Sequence, residues 1–275
     1  MAGPSRARPR SRRSTNARRC KLSIALRDPK LIARLLPLAN AFNARYLRLR
    51  VFGREHLSRG SREPTLFISN HNGGMAGPDL SCTLATLWNE LGPDAPIYAM
   101  AHDFAMRQFT ALGAVLGKLG AVRAAPESAR EILERGGQLL VYPGGDLDAY
   151  RPSTQRNEIV FGKRNGFVRV ARSAGVPIVP IVVHGAHRSA WVVTSGERIA
   201  HAIGLPSWGR LQRFPIAFAL PWGLALGPWV PYLPLPFPVT LAVLPPTRVL
   251  DDETDDEARE RIRNAMQAKL DELAR

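Results

Sequence analysis

The chain has 275 residues, 45% of them hydrophobic and 22% charged, which is enough apolar material for one α/β domain of roughly 200 to 230 residues with extensions. This composition excludes a wholly disordered chain and leaves room for a disordered end. The formal net charge of +15 is concentrated at one end: residues 1–50 hold 14 Lys/Arg against one acid, Asp28, whereas the remaining 225 hold 24 against 22.

In chain order, residues 1–21 come first, a Pro/Ser/Arg-rich run with Arg6, Arg8, Arg10, Arg12, Arg13, Arg18, Arg19 and Lys21. Without apolar periodicity it is expected to be a disordered basic arm. Such an arm suits nucleic acid, an anionic lipid surface, or solvent alone. It has no interleaved aromatics and no recognised nucleic-acid fold follows it, so no specific nucleic acid is expected. Cys20 and Cys82, the only cysteines, offer no disulfide framework, and the start lacks the apolar stretch of a secretory signal.

Residues 22–45 read as an amphipathic helical segment with Pro29 and Pro37 as interruptions. Leu31, Leu35, Leu38 and Phe42 fall near one face and Arg34 and Arg45 elsewhere, a pattern shared by interfacial helices and by helices packed on a domain. It is too short and too charged to span a bilayer.

Residues 46–275 alternate strands with helices. Leu66 to Ser69 is an apolar run ending at Asn70-His71, and Leu80 to Leu91 is helical, with Asp79 as a fitting N-cap. A helix over 126–135 precedes the buried strand Gln138 to Tyr142, which stops at Pro143-Gly144-Gly145. Phe167, Val170, Ala171 and Ala174 mark the next helix, and residues 176–183 the next strand. Residues 214–244 contain no charged side chain but seven prolines, which argues against a continuous membrane helix and for a pocket wall, a boundary segment or a packed loop. Trp222, Trp229, Tyr232 and Phe237 punctuate it. Thr254 and Glu257 form a capping box ahead of a C-terminal helix. The fold class expected is α/β: a single domain with a mostly parallel or mixed open sheet flanked by helices.

A histidine at a strand end, a glycine-rich turn and an aspartate at a helix start place an imidazole at the carboxyl edge of the sheet, where open α/β sheets bind ligands. Asp79 can accept a hydrogen bond from one ring nitrogen of His71, leaving the other to take a proton from an alcohol. His184 and His187 have no Cys or carboxylate nearby to complete a ligand set, so no metal is expected.

The segment Asn70-His71-Asn72-Gly73-Gly74-Met75-Ala76-Gly77-Pro78-Asp79 resembles the first motif of the glycerolipid acyltransferase superfamily, the lysophosphatidate and glycerol-phosphate acyltransferases. Gly120-Ala121-Val122-Arg123 resembles the second block, Val141 to Gly145 the Phe-Pro-Glu-Gly block, and Val176 to Pro180 the fourth. Together they span residues 65–185. Two departures stand out: seven residues separate His71 from Asp79 where the usual motif has four, and Gly144 replaces a glutamate. Both look like the branch similar to monoacylglycerol and diacylglycerol acyltransferases and their bacterial relatives.

The resemblance implies transfer of a fatty acyl chain from acyl-CoA or an acyl-carrier protein to a glycerolipid hydroxyl. His71 would be the general base, oriented by Asp79, with no acyl-enzyme and no cofactor. Transfer to a lysophosphatidate or lysophospholipid is the alternative, which Arg123 as an acceptor-binding residue favours. A non-catalytic membrane- or nucleic-acid-binding protein is the alternative of another class. Amides around Gly144 and Gly145 are candidate oxyanion donors, and Arg151, Arg156, Lys163 and Arg164 are candidates for the donor's phosphates. The expected partners are the lipid acceptor, the thioester and an anionic membrane surface, with no obligate protein partner evident. The expected location is peripheral, on the cytoplasmic face of a membrane.

Overall fold

The short apolar runs become the strands of one large sheet. The computed structural model describes residues 24–57, 63–74, 77–102, 110–209, 211–228 and 232–275; the basic arm and Trp229 lie outside the described residues. In it, β1 (Arg50–Phe52), β2 (Leu66–Ser69), β3 (Ile97–Ala101), β4 (Ala121–Arg123), β5 (Gln138–Val141) and β6 (Ile178–His184) share a sheet with a late strand. Between them and it come β7 (Trp191–Thr194), β8 (Ile216–Ala219) and β9 (Gly223–Leu226), which form a second, three-stranded sheet. The late strand is β10 (Thr240–Val243), and the large sheet runs β1-β10-β6-β2-β5-β3-β4. Strands β2 to β6 are parallel, β10 is antiparallel to β6, and β1 is parallel to β10. This is the mixed, mostly parallel sheet that the alternating pattern implies.

The helices are α1 (Pro29–Ala41), α2 (Pro78–Leu91), α3 (Thr110–Lys118), α4 (Pro126–Glu134), α5 (Asp146–Ala149), α6 (Gly166–Ala174), α7 (Glu197–Ala202), α8 (Leu205–Gly209) and α9 (Asp255–Leu273). Side chains alternate across the pleat. Leu66, Ile68, Leu139 and Val182 therefore meet α4, α6 and α9 on one face, while Phe67, Leu140, Val179 and Ile181 meet α1 and α2 on the other. Burial on both faces is why the central strands read as unbroken apolar runs rather than alternating ones.

Helix ends follow local chemistry. Asp28 accepts the amides of Lys30 and Leu31 at 3.0 and 3.1 Å to start α1, and Thr254 and Glu257 exchange hydrogen bonds as a capping box on α9. Two expectations are corrected. Pro37 lies inside α1 and does not interrupt it, and the chain leaves that helix through a π-turn at Phe42–Tyr46. Helix α2 begins at Pro78, a proline being well placed in a first turn that needs no donor, so Asp79 is inside the helix and not its N-cap. That frees its carboxylate for another partner. On α1 the buried residue is Ile32, whereas Leu38 is 68% exposed.

The uncharged 214–244 segment supplies β8, β9 and β10. Among the described residues no helix is long and apolar enough to cross a membrane.

Candidate active site

Strand β2 ends at Ser69, and the next residue behaves as a side-chain extension of the sheet. Asn70 donates through Nδ2 to the Val183 carbonyl at 2.9 Å and accepts the Val183 amide on Oδ1 at 2.8 Å. Asn72 donates to the same carbonyl at 3.0 Å. His71 is held between these two pins where β2 and β6 give way to solvent-side structure.

Seven residues must then bring Asp79 back. Gly73 and Gly74 take φ of 79° and 78°, a region where a Cβ is disfavoured, and the Gly77 amide closes onto the Gly74 carbonyl at 3.2 Å. A Cβ on Gly77 would lie 2.0 Å from the Asn72 oxygen and 2.4 Å from Asp79 Oδ1. Only glycine lets the two arms approach. The result is a contact of 2.7 Å between His71 Nδ1 and Asp79 Oδ2, with the Asn72 amide on the same oxygen at 3.1 Å.

Asp79 is fully buried, and its Oδ1 has no hydrogen-bond partner among the described residues. The His71 side chain is 14% exposed and packs on Tyr142 at a ring-centroid distance of 4.6 Å. Burial alone would lower the imidazole pKa; the Asp79 charge and hydrogen bond oppose it, and the net effect raises it above the ordinary 6.5. An ionised carboxylate only accepts, so Nδ1 carries the proton facing Asp79 and Nε2 is the nitrogen left to accept one.

The His71 backbone is held as firmly. Its amide donates to Asp148 Oδ2 at 2.5 Å, and its carbonyl accepts from Arg151 Nη1 at 2.8 Å. Arg151 also reaches Asp148 Oδ1 at 2.8 Å, the Asp148 carbonyl at 2.5 Å, Asn72 Oδ1, and the carbonyls of Gln155 and Arg156 at 3.0 and 3.1 Å. A guanidinium has five N–H groups, and here all are committed in a residue only 2% exposed.

This corrects the expectation that Arg151 binds donor phosphates: it braces the His71 loop. Motif reading gave Arg151 a different role and gave none to Asn70, Asn72 and Asp148, which pair with Val183 or with Arg151 around the His71 loop. The available signal was the Asp-x-x-Arg spacing in the turn directly after Pro-Gly-Gly.

The other expected site residues divide. Arg164 lines the site, bound to Asp146 Oδ1 and the Gly144 carbonyl at 2.6 Å each. Gly145 also lines it, but its amide closes a turn on the Tyr142 carbonyl at 3.1 Å, which corrects its expected role as an oxyanion donor. The Gly144 amide has no partner among the described residues. Arg156 and Lys163 are exposed, and Arg123 ends β4 at the sheet margin. None of these three is in the wall of the cavity that contains His71.

That cavity measures about 1100 Å³, large enough for more than a single small metabolite. Leu84 and Trp88 of α2, Leu116 of α3 and Leu119 just after it form one part of its wall, and Ala217 and Ala225 of the second sheet form another. Among the described residues the wall contains one cation, Arg164, and it faces the carboxylate of Asp146. Tyr232 seals the glycine turn, donating to the Gly73 carbonyl and lying 3.0 Å from Ser189 Oγ. No three His, Cys, Asp or Glu side chains among the described residues cluster as a metal site needs.

An open α/β sheet thus carries a His–Asp pair at its carboxyl edge, with a largely apolar cavity over it. The acyltransferase family model matches residues 48–184, and this part of the chain belongs to the acyltransferase family. It is similar to an uncharacterized protein of Mycobacterium tuberculosis, 25% identical over 181 residues covering 66% of this chain and 49% of that one. It is also similar to the human "DGAT1/2-independent enzyme synthesizing storage lipids", 28% identical over 212 residues covering 77% of this chain and 58% of that one. The chain thus spans about half the length of the mycobacterial relatives it matches. Its fold is like that of the crystal structure of the 1-acyl-sn-glycerophosphate acyltransferase PlsC from Thermotoga maritima, with a TM-score of 0.57 at 17% identity over 95% of this chain and 89% of that one.

Proposed function

We propose that this protein transfers a fatty acyl chain from acyl-CoA or an acyl-carrier protein to the hydroxyl of a neutral glycerolipid, a monoacylglycerol or diacylglycerol. The observation that carries this reading is the His71–Asp79 pair in the wall of a largely apolar cavity. His71 Nε2 takes the acceptor's hydroxyl proton as its oxygen attacks the thioester carbonyl, and Asp79 stabilises the imidazolium. Collapse of the tetrahedral intermediate breaks the carbon–sulfur bond, and the proton passes from His71 to the departing thiolate, leaving an ester and a free thiol. No protein nucleophile is involved.

A neutral acceptor is favoured by electrostatics. A phosphomonoester would bring about two negative charges at neutral pH, and the one described cation on the cavity wall is already paired with Asp146 and a carbonyl. The human relative, named as an enzyme synthesizing storage lipids, lends support to this reading. Arg156 and Lys163, exposed on the segment that follows the glycine turn, are the cations offered to the donor's phosphates.

The test is a mass-spectrometric product screen with one long-chain acyl-CoA against monoacylglycerol, diacylglycerol, lysophosphatidate and lysophospholipids. Ester formation on the neutral acceptors, reduced by at least about 100-fold in His71→Ala, is expected. Acylation of lysophosphatidate alone, weakened by Arg123→Ala, would replace the neutral-acceptor reading with the lysophosphatidate one.

A further inference from the structure

The second sheet is inside out for a sheet in water. A sheet with one buried face ordinarily turns its polar residues outward. Here Trp191 pairs with Phe218 and Phe218 with Leu224, forming one row across all three strands, and these side chains are 56%, 54% and 53% exposed. The adjacent row, Val192, Ala217 and Ala225, lines the cavity instead. The larger apolar side chains face outward and the smaller ones inward.

The outward surface continues beyond the sheet. The Leu233 amide donates to the Leu220 carbonyl at 2.8 Å, and Leu220 and Leu233 are both exposed. Tyr46 Oη donates to the Pro234 carbonyl at 2.9 Å and Arg48 to the Pro236 carbonyl at 2.5 Å. These bonds fasten the 233–238 strip to the turn after α1, beside the exposed Leu38 and Phe42. A contiguous apolar surface of this kind marks an interaction site.

We propose that this face, the outer row of the β7–β8–β9 sheet together with the 233–238 strip and the exposed side of α1, is where the protein seats itself in the boundary region of an anionic lipid bilayer. Charge selects this occupant over a protein. Residues 29–50 carry Lys30, Arg34, Arg45, Arg48 and Arg50 without an acid, and residues 1–21 add eight cations and no acid, while 214–244 are uncharged.

Apolar and aromatic side chains flanked by cations match the acyl and headgroup layers of an anionic leaflet. An apolar protein–protein interface would use only the first of these features. The inference deepens the acyl-transfer reading: the inner side chains of the same strands wall the cavity, so a docked sheet sets the active site against the phase that holds water-insoluble acceptors.

The experiment is flotation of the full chain with vesicles, read without turnover so that it is independent of any enzymatic result. Vesicles of phosphatidylcholine with phosphatidylglycerol at roughly three to one should carry the protein far better than phosphatidylcholine alone. The double substitution Phe218→Gln/Leu224→Gln should lower the bound fraction about tenfold or more with its circular dichroism unchanged. Should that variant misfold, quenching of the unmodified protein's tryptophan emission by brominated phosphatidylcholine, lessened in Trp191→Phe/Trp222→Phe, reads the same contact.

Undiminished flotation of the folded double variant overturns the proposal. So does absence of quenching. A dimer in light scattering that the double substitution dissociates, in a protein that does not float, would overturn it too and assign the face to a second copy of the chain. Failure of every acceptor in the product screen with flotation intact would count against the acyl-transfer reading alone.

Discussion

The two sheets of this domain use the same pleat to opposite ends. The seven-stranded sheet buries large apolar side chains on both faces and confines its polar chemistry to one edge, where Asn70, Asn72, Asp148 and Arg151 satisfy one another around His71. Among the described residues the three-stranded sheet has no such network. It presents small side chains to a cavity and large ones to the exterior. Under the proposed function, rigidity is concentrated where a proton would move between defined atoms, and adaptable apolar surface where a chain of methylenes would be accommodated.

The sharpest way to break this contrast is at the polar edge. Asp79→Asn should reduce kcat/KM by about 100-fold or more with the fold intact, because an amide can hold the wrong tautomer of His71. The pH profile supplies an independent reading. A base must be neutral, so activity should fall as pH drops through the raised pKa of His71, at a midpoint above 6.5. In Asp79→Asn the raising charge is gone and burial remains, so the residual activity should keep its acid limb to lower pH. An acid limb that stays in place would remove Asp79 as the electrostatic partner.

Next in size is the brace. Arg151→Met leaves Asp148 buried without its counter-charge and should cost about 3 to 5 kcal/mol in denaturant unfolding. Lys269→Met, whose ion pair with Glu272 spans 2.8 Å at the surface, should cost below about 1 kcal/mol. Equal losses would mean that the edge network is no more than surface pairing.

The second sheet is tested from its inner side. Ala217→Leu enlarges a cavity-facing side chain and should shift preference toward shorter acyl chains by about tenfold in relative kcat/KM, measured by competition between two thioesters. Unchanged selectivity would separate that wall from chain binding. A further small effect is expected at the start of α9: Thr254→Ala removes its capping box and should lower stability by about 1 kcal/mol without altering selectivity.

How much of this was legible beforehand differs by residue. The strand ending at Asn70-His71, the helix behind Asp79, the turn at Pro143-Gly144-Gly145 and the Thr254–Glu257 cap are all local patterns, and the structure forms each where the pattern lies. Periodicity and turn chemistry act within a few residues, so one strand or one helix can be read in isolation. The role of Arg151 was not legible in this way. A run with Arg151, Arg156, Lys163 and Arg164 looks uniform in charge, and what distinguishes the first is its bond to a His71 carbonyl 80 positions away.

By itself, then, the amino-acid order determined the α/β alternation, the concentration of basic charge at one end and the candidate pair of His71 with Asp79. Tertiary structure alone decided that seven residues close on Gly73, Gly74 and Gly77, that Arg151 is a brace while Arg164 lines the cavity and Arg156 and Lys163 are surface, and that an uncharged proline-rich stretch supplies two strands of an inverted sheet. The physical reason is one of range: backbone propensity is settled between neighbours, whereas burial, pairing and the side of a sheet that meets the exterior depend on segments that only folding brings together.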